Sequence, residues 1–243
     1  MAWGTPVTKG VVFNVTNSAS CAIASVALTS GRLYLGFSMH HRAGAAGTYS
    51  NGSITGTTGG WSLVVQSATW NGGLRKTAAF YYIATATETV TVTCNVDTNT
   101  NSCTCLALIE IPSGFDTSTP IAAFDEQVAA AALSVTSTLA SAPTAGNLSI
   151  SGGGLSDSTA GDISPRTNWT ELNQAAGTGT ASDSGFIETQ YKTALDAEQS
   201  ASASVASTNR DWGWIHLELK AAASVARKAG RLSLMGCGHG APR

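Results

Sequence analysis

The sequence predicts an all-β protein, namely a jelly-roll-like β-sandwich built from two internally repeated halves and followed by a C-terminal arm. Three observations lead to this prediction: residues that recur at matched positions in the two halves, apolar and polar side chains that alternate with a period of two, and closely spaced turn residues. Gly, Ser and Thr recur between short β-branched runs, and the 243 residues include 26 glycines. Many short strands separated by such turns are typical of sandwiches and barrels.

The first observation is that the same residue types recur at an almost constant offset along the chain. Five matched pairs lie 108 to 115 positions apart: Pro6 and Pro120, Gly31 and Gly146, Trp61 and Trp169, Tyr82 and Tyr191, and Glu110 and Glu218. A duplicated β unit leaves an offset of this kind. We therefore predict a first β repeat at 1–112, a second at 113–220, both packed as one sandwich, and an arm at 221–243.

The second observation is alternation along the predicted strands. Residues 89–94 alternate Thr with Val or Cys, which is typical of a half-exposed strand. Residues 103–111 and 212–220 carry apolar side chains on both faces, which predicts central strands. The predicted strands are 7–15, 22–28, 32–40, 61–69, 74–84, 87–94 and 103–111, and then 121–128, 133–139, 147–153, 169–175, 186–193, 199–206 and 212–220.

Composition argues against several classes of partner. The net charge is −2 and only 12% of residues are charged, so no basic face for nucleic acid is expected. No run approaches the roughly 20 apolar residues of a membrane helix, so we expect no membrane partner. The first residues lack the features of a secretory signal, which predicts synthesis in the cytoplasm without a signal peptide.

Cysteine and histidine do not predict a metal site. The five cysteines form no disulfide framework, and buried thiols are the favoured interpretation. Cys94 and Cys103 flank a polar hairpin tip, so pairing of Cys94 with Cys103 or Cys105 stays open. No set of cysteines and histidines completes a zinc site. We expect no metal and no cofactor.

Two glutamates suggest a glycosidase-like carboxylate pair, but the repeat explains them better. Glu110 and Glu218 stand at matched positions of the two halves, and neither has a second acid nearby on its strand. His40 and His41 end a strand, so one ring should pack and the other should meet solvent. His216 is expected to be a packed structural residue. We therefore predict that the protein is not an enzyme.

Aromatic and basic residues outside the matched core are the candidate contact residues. Trp61 and Trp169 are matched and are expected in the core, whereas exposed aromatic rings could stack on sugars or partners. The long loops 43–60 and 154–167 occupy the same place in both halves, where binding residues often lie. The candidate ligand or partner contacts are Tyr49, Trp212, Trp214, Arg227, Lys228 and Arg231.

Several strings of the second half resemble a recurrent module. These are the run from Gly114 to Ile121, Gly146 to Ile150, Asn168 to Thr170, Glu188 to Lys192 and Trp214 to Ala221. They are similar to the Ala/Gly/Thr-rich β-sandwich modules of tailed-phage structural proteins and bacterial cell-surface proteins. The resemblance covers roughly residues 5–221. It implies a jelly-roll-like sandwich without established catalytic residues, and it carries over no functional residue.

The resemblance and the composition lead to an expected function. We expect a virion structural protein on the virion exterior, most plausibly a capsid decoration (cement) protein or another exterior head or tail component. Its partners would be other virion subunits, such as the major capsid or tail protein, and itself as a homo-oligomer. The alternative is an adhesin module of a phage tail or bacterial surface that binds a carbohydrate such as a host glycan, or a receptor.

Overall fold

A computed structural model describes residues 2–15, 19–42, 52–96, 102–156, 163–177, 185–206 and 209–223, which contain sixteen β-strands and no helix. The strands are β1 (Val7–Asn14), β2 (Ser20–Leu28), β3 (Leu33–Arg42), β4 (Ser53–Thr55), β5 (Ser62–Gln66), β6 (Arg75–Ile83), β7 (Glu88–Asn95), β8 (Ser102–Ile111), β9 (Ile121–Ala132), β10 (Ser134–Thr138), β11 (Leu148–Leu155), β12 (Ser164–Pro165), β13 (Trp169–Gly177), β14 (Gly185–Lys192), β15 (Ser200–Ser204) and β16 (Arg210–Leu219).

The strands form four antiparallel sheets, two in each half. The first large sheet has the order β1-β8-β3-β6-β5, and the first small sheet has the order β2-β7-β4. The second large sheet has the order β9-β16-β11-β14-β13, and the second small sheet has the order β10-β15-β12. Each order in the second half is the order in the first half with eight added to every strand number. The predicted all-β class is confirmed, while the jelly-roll description and the duplication stay predictions.

The two large sheets pack face to face and enclose the central core. Alternate residues of β3 and β8 in the first half meet alternate residues of β11, β14 and β16 in the second half. Phe37 lies over Gly152, where a Cβ atom would come within 2.8 Å of the ring. The predicted inward residues of the last strand of each half, such as Ile109 and Leu217, are fully buried here.

Each large sheet also packs against the small sheet of its own half. The first outer core lies between the first large and first small sheets and contains Tyr34, Phe80 and Leu106. The second outer core lies between the second pair of sheets and contains Phe186, Trp212 and Trp214. The molecule is therefore a stack of four sheets, in which both large sheets are covered on both faces.

The edges of the two large sheets meet along two seams. In the closed seam, β1 lies against β13: the Thr8 hydroxyl donates to the Leu172 carbonyl, and the Phe13 ring occupies the space a Cβ at Gly177 would need. In the open seam, β5 and β9 meet less closely and leave a groove. The closed seam joins β1 to β13, which is the counterpart of β5, and the open seam joins β5 to β9, which is the counterpart of β1. A two-fold relation between the halves would require this exchange.

Strand register corrects one of the matched pairs. Ser62 pairs with Tyr81 and Thr170 pairs with Tyr191, so the counterpart of Tyr191 is Tyr81 and not Tyr82. The same registers place Trp61 and Trp169 at equivalent positions. Two adjacent tyrosines cannot be told apart by an offset that drifts by several residues, whereas the strand ladder distinguishes them.

Two further expectations meet the structure with different outcomes. The strand predicted to end at residue 128 continues through the alanine run to Ala132, with an irregularity at Ala131, whose φ is 48° and whose N–H donates to the Asp211 carboxylate at 2.8 Å. The expectation that one of His40 and His41 meets solvent is wrong, because they are 2% and 1% exposed. Both faces of the first large sheet are covered, so neither ring of the pair points to water.

Candidate functional site

The matched glutamates Glu110 and Glu218 hold two equivalent turns. The turns Thr29–Arg32 and Thr144–Asn147 lead into β3 and β11, and in each the N–H of the fourth residue donates to the carbonyl of the first, at 3.2 Å and 3.1 Å. The third residue of each turn is a glycine, with φ of 79° and 88°. This is the position of a type II turn that requires a positive φ.

Glu110 accepts hydrogen bonds from three side chains. The guanidinium of Arg32, the fourth residue of its turn, contacts one carboxylate oxygen, and Lys9 Nζ at 3.1 Å and the Tyr34 hydroxyl at 3.0 Å contact the other. Burial of Glu110 opposes its ionisation, but the donors from Arg32, Lys9 and Tyr34 outweigh it and lower the pKa of this carboxyl. Burial, together with the Glu110 carboxylate, raises the pKa of Tyr34 to about 12.

Glu218 holds the second turn through neutral donors. Its Oε1 accepts from Asn147 Nδ2 at 2.6 Å and from the Thr144 N–H at 2.8 Å. Asn147 and Arg32 occupy the same turn position. The contact between this turn residue and the glutamate therefore occurs in both halves, with an amide donor in one and a guanidinium donor in the other. The two glutamates lie in different sheets, each bound to its own turn, and they do not face one cleft as a glycosidase pair would.

The structure places Trp212 and Trp214 in the second outer core, and the expectation that either contacts a ligand or partner is wrong. Both side chains are 0% exposed, and Trp212 Nε1 donates to the Ala132 carbonyl at 2.9 Å. Both rings point toward the small sheet that covers this face. The sequence did indicate the burial of these two side chains, because β16 has apolar residues on both faces.

The other candidate contacts are outside the described residues. The structure does not describe Tyr49, Arg227, Lys228 and Arg231, so it does not test whether they contact a ligand or partner. Within the residues that the structure describes, no three His, Cys, Asp or Glu side chains are grouped to hold a metal ion. In the same residues, no helix is long and apolar enough to cross a membrane.

The described cysteines are buried thiols. Cys94 lies opposite Cys21 across the β2–β7 pair, and both are in the first outer core. Cys105 lies in the central core, on a different sheet from Cys94. None of these three thiols forms a disulfide with another described cysteine, so Cys94 is not paired with Cys105. The side chain of Cys103 is outside the described part.

A serine–histidine contact in the second outer core resembles a nucleophile with its base. His216 Nε2 lies 2.9 Å from Ser149 Oγ, and Asp125 lies opposite His216 on the neighbouring strand. Ser149 is nevertheless 0% exposed, its hydroxyl donates to the Glu198 carbonyl, and it accepts from the Glu198 N–H. A hydroxyl with these bonds and no exposed surface cannot reach a substrate, so the contact is structural.

The open seam is the most distinctive surface feature of the described residues. Its groove, about 420 Å³ in volume, is lined by Val64, Tyr81, Ile121, Ala122, Ala123 and Phe124. Phe124 is 49% exposed, and Leu63, next to Val64 on β5, is 38% exposed. Both flanking strands are sheet edges, so each carries backbone groups on one side that no other described strand pairs. Sequence reasoning missed this surface because the groove forms between halves.

Comparison with known proteins found no matching family model, no matching curated protein and no matching solved structure.

Proposed function

We propose that this chain is a structural protein of a virion, located on the particle exterior, and that it acts through protein–protein contacts. The proposal takes the open seam as the contact surface. Exposed apolar side chains such as Phe124 are costly to leave in water, and a groove with an apolar floor is typical of an interaction site.

The occupant that fits the seam is an extended segment of a neighbouring shell subunit. The edge strands β5 and β9 offer backbone donors and acceptors on both sides of the groove, and a strand-like segment can pair with such an edge. Side chains of small or apolar type would fill the floor between Val64 and Phe124. Low charge over the whole chain also suits contacts made by backbone hydrogen bonds and apolar packing.

The chemistry of the polar groups is compatible with a structural role. The carboxylates that suggested catalysis hold turns in each half, and the serine beside His216 is bonded to the backbone of a loop. Because these polar side chains form hydrogen bonds inside the protein, they are not part of an exposed reaction site, and the surface can serve partner contacts. A decoration protein needs a rigid body of this kind, together with at least one surface that binds the shell.

The location is tested in the native source. Particles banded on a density gradient should contain this chain in a fixed ratio to the major shell protein, and gold-labelled antibody should mark it on intact particles. A chain found only in the soluble fraction, or inside particles only after they are disrupted, would contradict the proposal.

A further inference from the structure

The two outer cores occupy equivalent places in the two halves but differ in polarity. Strand register matches six positions on three adjacent strands of each large sheet. In the first half these are Gly36, Ser38, Ala78, Phe80, Leu106 and Leu108, and in the second half they are Ser151, Gly153, Glu188, Gln190, Trp214 and His216. The first set is glycine or apolar except for Ser38, whose buried hydroxyl also has no hydrogen-bond partner among the described residues, so the fold does not itself require a polar cluster here.

Four of the polar side chains in the second set have atoms without a protein partner. Ser151 Oγ, both Glu188 oxygens, Trp214 Nε1 and His216 Nδ1 are buried, and no hydrogen bond from the described residues reaches them. All four residues are 0% exposed. An unpaired buried polar group destabilises the folded state, so four such groups in one place need an explanation.

The four groups mix donors and acceptors. An indole N–H can only donate. The Ser149 hydroxyl hydrogen is directed to the Glu198 carbonyl, so His216 Nε2 is the donor in their contact and Nδ1 is left as an acceptor. Burial, with a smaller effect of the nearby Glu171 carboxylate, raises the pKa of Glu188 to about 9, so the protonated carboxyl can both donate and accept at neutral pH.

This donor set fits water better than an ion. A cation would be repelled by the indole N–H, and an anion would be repelled by the bare imidazole nitrogen of His216. Water donates and accepts with equal ease, and buried water typically bonds two to four otherwise unsatisfied groups. Ser151 lies directly between Gln190 and His216 in the ladder, and Gly153 between Glu188 and Trp214, so the four groups surround one patch of the sheet.

We propose that the second outer core holds ordered internal water bound by Ser151, Glu188, Trp214 and His216. The first outer core, where five of the six matched positions are glycine or apolar, offers only the Ser38 hydroxyl at this place and is not expected to hold such a water cluster.

Trp212 provides a matched control for a test on the wild-type protein. Its indole is as buried as that of Trp214 and lies in the same core, but it donates to the Ala132 carbonyl. In water–protein NOE spectra, the Trp214 indole proton should show a cross-peak to long-lived water and the Trp212 indole proton should show none. Cross-peaks of equal strength at both indoles, or none at Trp214, would overturn the proposal.

A crystal structure at about 1.2 Å or better provides an independent readout without substitutions. Density for a water within hydrogen-bond distance of at least two of the four groups would support the site. Direct hydrogen bonds among these side chains, with no solvent between them, would overturn it.

Discussion

At the residue scale, the same glutamate position serves both halves with different partners. Glu110 meets a guanidinium, an ammonium and a phenol, whereas Glu218 meets an amide and a backbone N–H. Both carboxylates are nearly buried, so each depends on its donors. The same structural role, anchoring a turn, is therefore filled by mainly charged donors at Glu110 and by neutral donors at Glu218.

Replacing each glutamate with glutamine should lower the stability by different amounts in the two halves. Glu110→Gln leaves Arg32 and Lys9 without a counter-charge and should lower the free energy of unfolding by about 1.5–3 kcal/mol, the range for hydrogen bonds to charged groups. Glu218→Gln keeps one acceptor for Asn147 and should cost about 1 kcal/mol. Urea unfolding of both variants measures the difference, and equal losses would contradict the assigned roles.

Two buried groups of the second outer core have opposite effects on stability as the pH changes. The pKa of Glu188 is raised to about 9, so its favourable contribution is complete below its ordinary pKa and is lost as the pH rises toward 9. Burial lowers the pKa of His216 to about 4, despite Asp125 and Glu198 nearby, so its contribution is lost as the pH falls from about 6.5. The two slopes oppose each other in mildly acidic solution.

Glu188→Gln should remove the first of these slopes. Below about pH 5 the variant and the wild type should be similar in stability. Above that, the variant should become relatively more stable by up to about 1.4 kcal/mol for each pH unit, until about pH 9. Urea unfolding at four pH values between about 5 and 8 checks this. Parallel stability curves for the two proteins would show that Glu188 is not held protonated in the folded state.

Residue-level prediction from the sequence succeeded where the neighbours are local. Ile109 and Leu217 alternate with partners on their own strands, so their inward direction follows from the pattern. The burial of Trp214 and His40 depends on a further sheet that covers the outer face, and alternation along one strand does not reveal that layer. The polar second outer core was missed for the same reason.

At the element scale, the two seams show how small residues decide the fit between sheets. The Phe13 ring occupies the place of a side chain at Gly177, which allows β1 and β13 to meet. No comparable contact closes β5 against β9. The strands β4 and β12 were also missed by the sequence, because strands of three and two residues are too short to show a period.

Gly177→Ala tests the closed seam. The added methyl group would overlap the Phe13 ring, and we expect a loss of about 1–3 kcal/mol, typical of overpacking. Gly60→Ala is the control, because no atom lies within 4 Å of a Cβ there. It should change the unfolding free energy by less than about 0.5 kcal/mol, as exposed substitutions usually do. A similar effect of both changes would contradict the assigned packing.

At the scale of the whole molecule, four stacked sheets expose few large apolar side chains among the described residues, and one of them, Phe124, lines the groove of the open seam. Leu133 is similarly exposed, at 46% against 49% for Phe124, but it lies just beyond the other end of β9. This separation provides a matched control for the contact surface. The sequence predicted matching strands in the two halves, whereas their order in the sheets and the face-to-face packing of the large sheets were not predicted, since no local pattern encodes them.

Phe124→Ser should weaken attachment to the particle if the seam is the contact surface. We expect at least a tenfold loss of binding to particles stripped of this chain, with an unchanged unfolding midpoint because Phe124 is half exposed. Leu133→Ser should bind as the wild type does. Equal losses for the two variants, or none for Phe124→Ser, would place the contact elsewhere.

The most direct measurement of the central claim is a cryo-electron microscopy map of the native particle with this chain in place. The account predicts density for the four-sheet stack on the exterior, with a segment of a neighbouring subunit in the groove between β5 and β9. A stack that is absent from the exterior, or one whose groove faces open solvent while other surfaces bind the shell, would contradict it.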